Sequence, residues 1–300
     1  SIEVLTDVAE EWIKSLGSSI TEFFQGFYQN APITIVIRRD SSFRTLEGIG
    51  TEPVQIFGPL SEGELTTAAI QLSDFNSEPF SLNVNLFSGQ KTGFFLDQND
   101  NVRRLLQLLK PRLTEQNDKQ KNKWKILDLC CYVGRWGVQA ARFLNHHGQQ
   151  AEVVFVDSSQ SALDFAKANA QSYDIKAKCI QGDVLRDLEQ VADQAFDIVI
   201  CDPPAFIKSK KHKIPGIKGY EKLNRLAMSK VATHGLFISC SCSANFSENE
   251  FEEMLQSSAT QAKASFLWLE RGLQAADHPV RLEFPEGRYL KCWIGEKYHS

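Results

Sequence analysis

"KILDLCCYVGRWGVQAARF", residues 125–143, passes from a short apolar run through a glycine-bearing turn into helical spacing. Lys125–Cys130 has the length and composition of a buried strand, and 135–147 reads as the helix that follows it. The same unit repeats downstream. "AEVVFVD" (151–157) leads into a helix over 159–171, and "IKAKCIQGD" (175–183) into a short helix. "FDIVICDPP" (196–204) leads through a loop to a helix over 219–232, and "GLFISCS" (235–241) to one over 246–262. Strands near 265–269 and 289–294 end the series. Upstream, "NDNVRRLLQLLKPRL" (99–113) predicts a helix stopped near Pro111, then a polar connector, "TEQNDKQKNK". Strands alternating with helices make right-handed βαβ units. The expected fold is α/β, with a doubly wound, mostly parallel sheet.

The first 88 residues read differently. Val4–Tyr28 has helical spacing, whereas "PITIVIRR" (32–39), "VQIFG" (54–58) and "FSLNVNLF" (80–87) read as strands between Gly- and Pro-rich turns. A smaller N-terminal α+β domain over 1–88 and a larger α/β domain over 89–300 are expected. The first carries twelve acidic and four basic residues, the second 25 and 29. An anionic polymer therefore finds its landing place on the second. No apolar run approaches the ~20 residues of a membrane span. Residues 1–17 are an acidic amphipathic stretch, unlike a signal peptide. Seven cysteines, an odd number, point to reduced thiols and a cytoplasmic location.

Open α/β sheets bind ligands beyond the carboxyl ends of their strands. Asp128, Asp157, Asp183, Asp202 and Cys242 all fall at or near such ends. Gly134 and Gly137 lack the G-x-G-x-x-G spacing that lets a backbone approach a pyrophosphate, which disfavours a nicotinamide oxidoreductase. Tyr132 and Val133 fill that turn, which suits a ligand with an amino-acid tail. Asp157 stands where an acid binds ribose hydroxyls, and Asp183 where one accepts from an adenine amine. That order describes S-adenosylmethionine. The alternative is that Asp157 and Asp183 only cap helices.

"GQKTGFFLDQ" (89–98), "CDPPAF" (201–206), "KGYEKLN" (218–224), "SCS" (241–243), "QAADHP" (274–279) and "FPEGRYLK" (284–291) together are specific. In these the sequence resembles the bacterial large-subunit rRNA cytosine-C5 methyltransferases, over about residues 85–295. The resemblance implies a class I methyltransferase fold, S-adenosylmethionine as cofactor and RNA, ribosomal RNA above all, as partner. It implies that Asp128, Tyr132, Gly134, Asp157 and Asp183 line the cofactor site, with Asp202 beside it. Lys91, Thr92, Gly93, Phe94 and Phe95 match the family stretch that reaches the cofactor. Asp202 is implied to face the target base, and Cys242 to be the catalytic thiol. Two features depart from the pattern. Relatives often carry Tyr-Thr-Gly-Gly where this chain has Tyr132-Val133-Gly134-Arg135, and commonly a PUA domain, for which the first 88 residues have no room.

Cytosine C5 is a poor nucleophile. A thiolate added to C6 makes C5 enamine-like, so the reaction calls for a cysteine. Cys240 and Cys242 lie on the same side of an extended strand, so alternation cannot choose between them. The position beyond the apolar run and the S-C-S match favour Cys242, and Cys179, Cys201 and Cys292 read as inert core thiols. No C-x-x-C spacing supports a metal site. "KSKKHKIPGIKGYEK" (208–222), with six lysines and one glutamate, reads as a flexible basic loop for RNA phosphates or as solvated surface. Methylation of another RNA base, such as guanine, and a non-catalytic RNA-binding module are the competing functions.

Overall fold

The structure, a computed structural model, describes residues 2–3, 7–27, 32–38, 55–73, 79–87, 93–115, 123–186, 191, 194–284 and 287–298. The chain divides into two units, Ser1–Gln71 with Asn83–Phe95, and Leu72–Leu82 with Leu96–Ser300. In the first, β1 (Ile2–Glu3), β2 (Ile35–Arg38) and β3 (Gln55–Phe57) form a three-stranded sheet, and α1 spans Asp7–Phe27. Ile35 and Ile37 are buried beneath Ile13 and Ile20 of α1. A one-turn helix, α2 (Glu62–Thr66), and a strand, β4 (Ala68–Ser73), escape the sequence reading. The first is held by a capping box between Ser61 and Glu64, too short to give a periodic signal. The second pairs with β5 (Pro79–Val84).

In the second unit a 3-10 turn, Leu96–Gln98, opens into α3 (Asn99–Glu115). Then follow β6 (Lys123–Leu129), α4 (Arg135–His146), β7 (Gln150–Asp157), α5 (Gln160–Gln171), β8 (Lys176–Gln181) and β9 (Phe196–Cys201). The series ends with α6 (Lys213–Ser229), β10 (Val231–Ser241), α7 (Glu248–Gln261), β11 (Ser265–Gly272) and β12 (Lys291–Tyr298). The seven strands are ordered β11-β12-β10-β9-β6-β7-β8, and only β12 runs antiparallel to its neighbours. Every residue of β9 is buried, as the centre of a sheet covered on both faces requires. This is the class I methyltransferase fold.

Three expectations need correction. Helix α3 does not stop at Pro111 but carries it inside. Proline leaves the carbonyl four residues back without its amide partner, but Gln107 is exposed and water can serve it. Arg112 holds the last turn by donating to the His234 carbonyl at 2.9 Å and to Glu296 at 2.5 Å. Second, the basic segment after the D-P-P motif is not a loop. Lys210–His212 is a 3-10 turn, and α6 begins at Lys213, six residues before the expected start. Pro215 lies in the first turn of α6, where an amide has no intrahelical partner to lose. Third, the residues just after β8 form a turn over 184–186, with 187–190 outside the described residues.

Gly216 explains how α6 packs against the D-P-P loop. A Cβ there would meet the Ile207 side chain and lie 2.9 Å from the Phe206 carbonyl oxygen. Gly216→Ala is expected to destabilise the protein by ~1–3 kcal/mol through overpacking. Urea denaturation checks this, and an unchanged midpoint would show that the loop yields freely.

Candidate functional site

The first turn of α4 gathers the site. Asp128, inside β6 and fully buried, accepts a hydrogen bond from the Gly137 amide at 2.9 Å on Oδ2. Its Oδ1 is buried with no hydrogen-bond partner among the described residues. Burial pushes the Asp128 carboxyl up to about 8, further raised by the charges of Asp202 and Asp157 and opposed by the Gly137 amide. Trp136 donates its indole N–H to Asp202 Oδ2 at 3.0 Å. Arg135, buried at the head of the helix, donates to Asn99. The turn before α4 is backbone-strained. Cys130 (φ 58) and Tyr132 (φ 49) adopt left-handed conformations that side chains disfavour, as does Gly134 (φ 79).

Asp157 ends β7 with both oxygens engaged. Oδ2 accepts from the Tyr132 amide and Oδ1 from the Ser159 amide, each at 2.9 Å. Ser159, not Asp157, caps α5. Asp157 therefore joins the strained turn to the next strand end, and each of its oxygens keeps a second lone pair. Asp183 lies two residues beyond β8, accepts from the Leu185 amide at 2.9 Å and faces Arg186 at 3.6 Å.

Asp202 follows β9, and Gln98 Nε2 spans both its oxygens at 3.1 and 3.0 Å. Gln98 is oriented in turn by Asn101, which donates to its amide oxygen at 2.8 Å. Cys242 follows β10, the parallel neighbour of β9. It is half-buried, whereas Cys240 is fully buried and its thiol is pushed well above the usual range, first by burial and then by Cys292. Cys201 and Cys292 are also buried, but Cys179, expected in the core, is half-buried. Ser243 Oγ accepts from the Ile207 amide at 3.2 Å and pairs with the Tyr220 hydroxyl at 3.0 Å, tying the D-P-P loop to the exit of β10. Lys291 is 2% exposed, and its ammonium donates to the carbonyls of Ser243, Phe246 and Tyr289.

The structure thus brings Asp128, Tyr132, Gly134, Asp157, Asp183, Asp202 and Cys242 to the carboxyl ends of five parallel strands. Gly93 (φ 101), Phe94 and Phe95 belong to the first unit, and Lys91 and Thr92 lie outside the described residues. Sequence reasoning missed Gln98, Trp136 and Lys291. All three sit inside quoted stretches, and Lys291 is further marked by being a lysine amid "LKCWIG". Among the described residues no cluster of three metal-ligating side chains occurs, and no helix is long and apolar enough to cross a membrane.

Four aspartates, one of them with an orphaned buried oxygen, repel phosphate and attract a cation bearing N–H and O–H donors. S-adenosylmethionine has an ammonium, a sulfonium, ribose hydroxyls and an adenine amine, and fits this donor set. A methyltransferase-domain family model matches residues 120–290, more than half of the chain. The chain belongs to the methyltransferase-domain family. It is 34% identical over 221 residues to the ribosomal RNA large subunit methyltransferase I of Photobacterium profundum, covering 71% of this chain and 51% of that one. The same-named protein of Tolumonas auensis is 32% identical over 263 residues, covering 86% and 60%. The chain therefore spans about half to three fifths of these relatives. In solved structures, it is similar to a Streptococcus mutans protein assigned to the SAM-dependent methyltransferases. The TM-score is 0.65 at 18% identity, over 95% of this chain and 66% of that one. Another structure, solved with SAH, gives 0.64 at 19% identity over the same shares. At such identities the likeness is one of fold.

The raised Asp128 carboxyl makes a pH prediction for the ligand-free protein. In the unfolded chain it ionises near ~3.9. Its contribution to stability is full below that pH and is lost as pH rises toward about 8, because the unfolded state releases its proton first. Asp128→Asn should flatten that decline, measured by urea denaturation from pH 4 to 9. An identical slope in the variant would remove Asp128 as its source.

Proposed function

We propose that this chain transfers a methyl group from S-adenosylmethionine to C5 of cytosine in ribosomal RNA, with Cys242 as nucleophile. The observation that carries the reading is the pair of exits from β9 and β10. Asp202 and a half-exposed Cys242 leave adjacent parallel strands, beside acids suited to a cationic methyl donor. The names of the curated relatives support rRNA as substrate. A cytoplasmic location belongs to the same reading.

S-adenosylmethionine, when bound, supplies an electrophilic methyl group. Asp128 holds its ammonium, Asp157 its ribose hydroxyls and Asp183 its adenine amine. Cys242 adds as thiolate to C6 of the base, placing electron density on C5. After C5 is methylated, loss of its proton and of the thiolate restores the aromatic ring. Asp202, fixed by Gln98 and Trp136, accepts hydrogen bonds from the polar edge of the base. Rigid support of this kind keeps a site from loosening by the fraction of an ångström that costs rate.

RNA binding is assigned to the basic face around the start of α6. Lys208, Lys210, Lys211 and Lys218 are exposed there, while Lys213 is engaged with Glu250 at 2.6 Å. Replacing Lys208, Lys210 and Lys211 by Gln should weaken RNA binding and flatten the log–log salt dependence by about 2, since fewer counterions are released. Filter binding across a salt series checks this, and an unaltered slope would return the lysines to solvated surface.

Cys242→Ala should abolish methyl transfer while leaving cofactor affinity intact, whereas Cys240→Ala should cost stability and keep activity. RNA carrying 5-fluorocytosine at the target should trap a protein adduct, because no proton can leave that carbon. Peptide mapping must find the link at Cys242. A link at Cys240, or an active enzyme that methylates another base and traps nothing, would overturn the reading.

A further inference from the structure

Lys291 is the first residue of β12 and stands directly across from Ser241 in the antiparallel register with β10, one residue before Cys242. Its three ammonium hydrogens are all committed to main-chain oxygens, Ser243 at 2.7 Å, Phe246 at 2.7 Å and Tyr289 at 2.9 Å. Two of these carbonyls lie in the turn that carries Cys242 away from the strand. No carboxylate among the described residues lies within ion-pairing distance of this buried ammonium. A buried charge with no counterion is costly, and a fold that keeps one is expected to use it.

The groups around Cys242 narrow the choice of that use. Tyr220, on α6, has its hydroxyl against Ser243. Tyr289 donates its hydroxyl to Asp97 at 2.6 Å, and its titration is raised by burial, Asp97, Cys242 and Asp277. Glu248 and Glu250, on α7, act on Lys291 from a distance, and Glu250 is already paired with Lys213. Among these groups, Lys291 is the cation bonded to the turn of Cys242. Burial lowers its ammonium to about 8, and a charge on Cys242 raises it again. Such coupling is reciprocal: what a thiolate does for the ammonium, the ammonium does for the thiolate.

We propose that Lys291 is the positioning residue for Cys242, clamping its turn through the Ser243 and Phe246 carbonyls and furnishing the buried positive charge against which the thiolate forms. The proposal rests on the reading of Cys242 as nucleophile but is tested without RNA or methyl donor. The rate of iodoacetamide alkylation at Cys242, followed by peptide mass spectrometry across pH, reports its thiolate directly. In Lys291→Met the midpoint should rise by about 1–2 pH units, the scale of a lost neighbouring charge. In Lys291→Arg it should stay close to wild type. An unchanged midpoint in folded Lys291→Met would show a clamp only and overturn the proposal. If Lys291→Met does not fold, the reverse measurement decides. The Lys291 ammonium, followed by nitrogen NMR, should titrate at lower pH in Cys242→Ala than in wild type, and an equal titration overturns the proposal. A shifted thiol midpoint without 5-methylcytosine formation would sink the proposed reaction instead.

Discussion

One turn of helix, Arg135–Gly137, carries the geometry of the second unit. Through the Gly137 amide it binds Asp128, through the Trp136 indole it binds Asp202, and through Arg135 it holds Asn99 at the start of α3. Gly137 can serve because it has no side chain. A Cβ there would lie 2.8 Å from Val153 and Phe155 of β7 and 3.1 Å from Asp128 Oδ2. The central strand, its neighbours and the entry to α3 are thus fixed to one another by groups that double as the floor of the site. A fully buried acid in such a place is expensive, and one amide donor does not offset its desolvation. The ligand-free protein therefore holds it in the neutral form near pH 7, with one oxygen still unserved.

Charge follows from the same arrangement. Asp157 and Asp202 lie close enough to Asp128 to raise its cost of ionisation, beyond what burial already imposes. Low-dielectric walls strengthen that field, so the strand ends select for positive charge and against phosphate before any contact is made. The lysines of the α6 start lie on the same unit but are exposed, where a polyanion can reach them. Within one unit, the strand ends are thus acidic and the exposed start of α6 is basic.

The sheet was legible in the sequence because each buried strand is a short apolar run ended by an acid or a cysteine, with a helix after it. The acids were legible for the same reason, since a carboxylate at the end of "ILDL" or "VVFVD" has no apolar reason to be there. What stayed hidden depends on pairing across long stretches of chain. Gln98 meets Asp202, and Lys291 meets Ser243, only after the sheet has formed. Pro111 misled because proline's cost depends on where in a helix it falls, and here water can serve the freed carbonyl. Local sequence shows the residue but not that exposure.

The two cysteines of "FISCSCS" show how a strand separates chemistry from scaffold. Its odd-numbered serines face α6. Ser239 donates to Asn224 at 2.6 Å, and Ser243 meets Tyr220. Cys240 faces the other way, where Gln98 lies against it and holds Asp202. By strand alternation alone the two cysteines are equivalent. Depth makes them different. Cys240 is sealed between β9 and β12, opposite Cys292, and burial keeps its proton on. Cys242 stands past the last ladder bond, half-exposed, where the backbone is held by serine hydroxyls and a lysine instead of a neighbouring strand. The thiol proposed as nucleophile would need both access and a rigid mount. The position just beyond the strand leaves Cys242 half-exposed, and the flanking serines, with Lys291, hold its backbone.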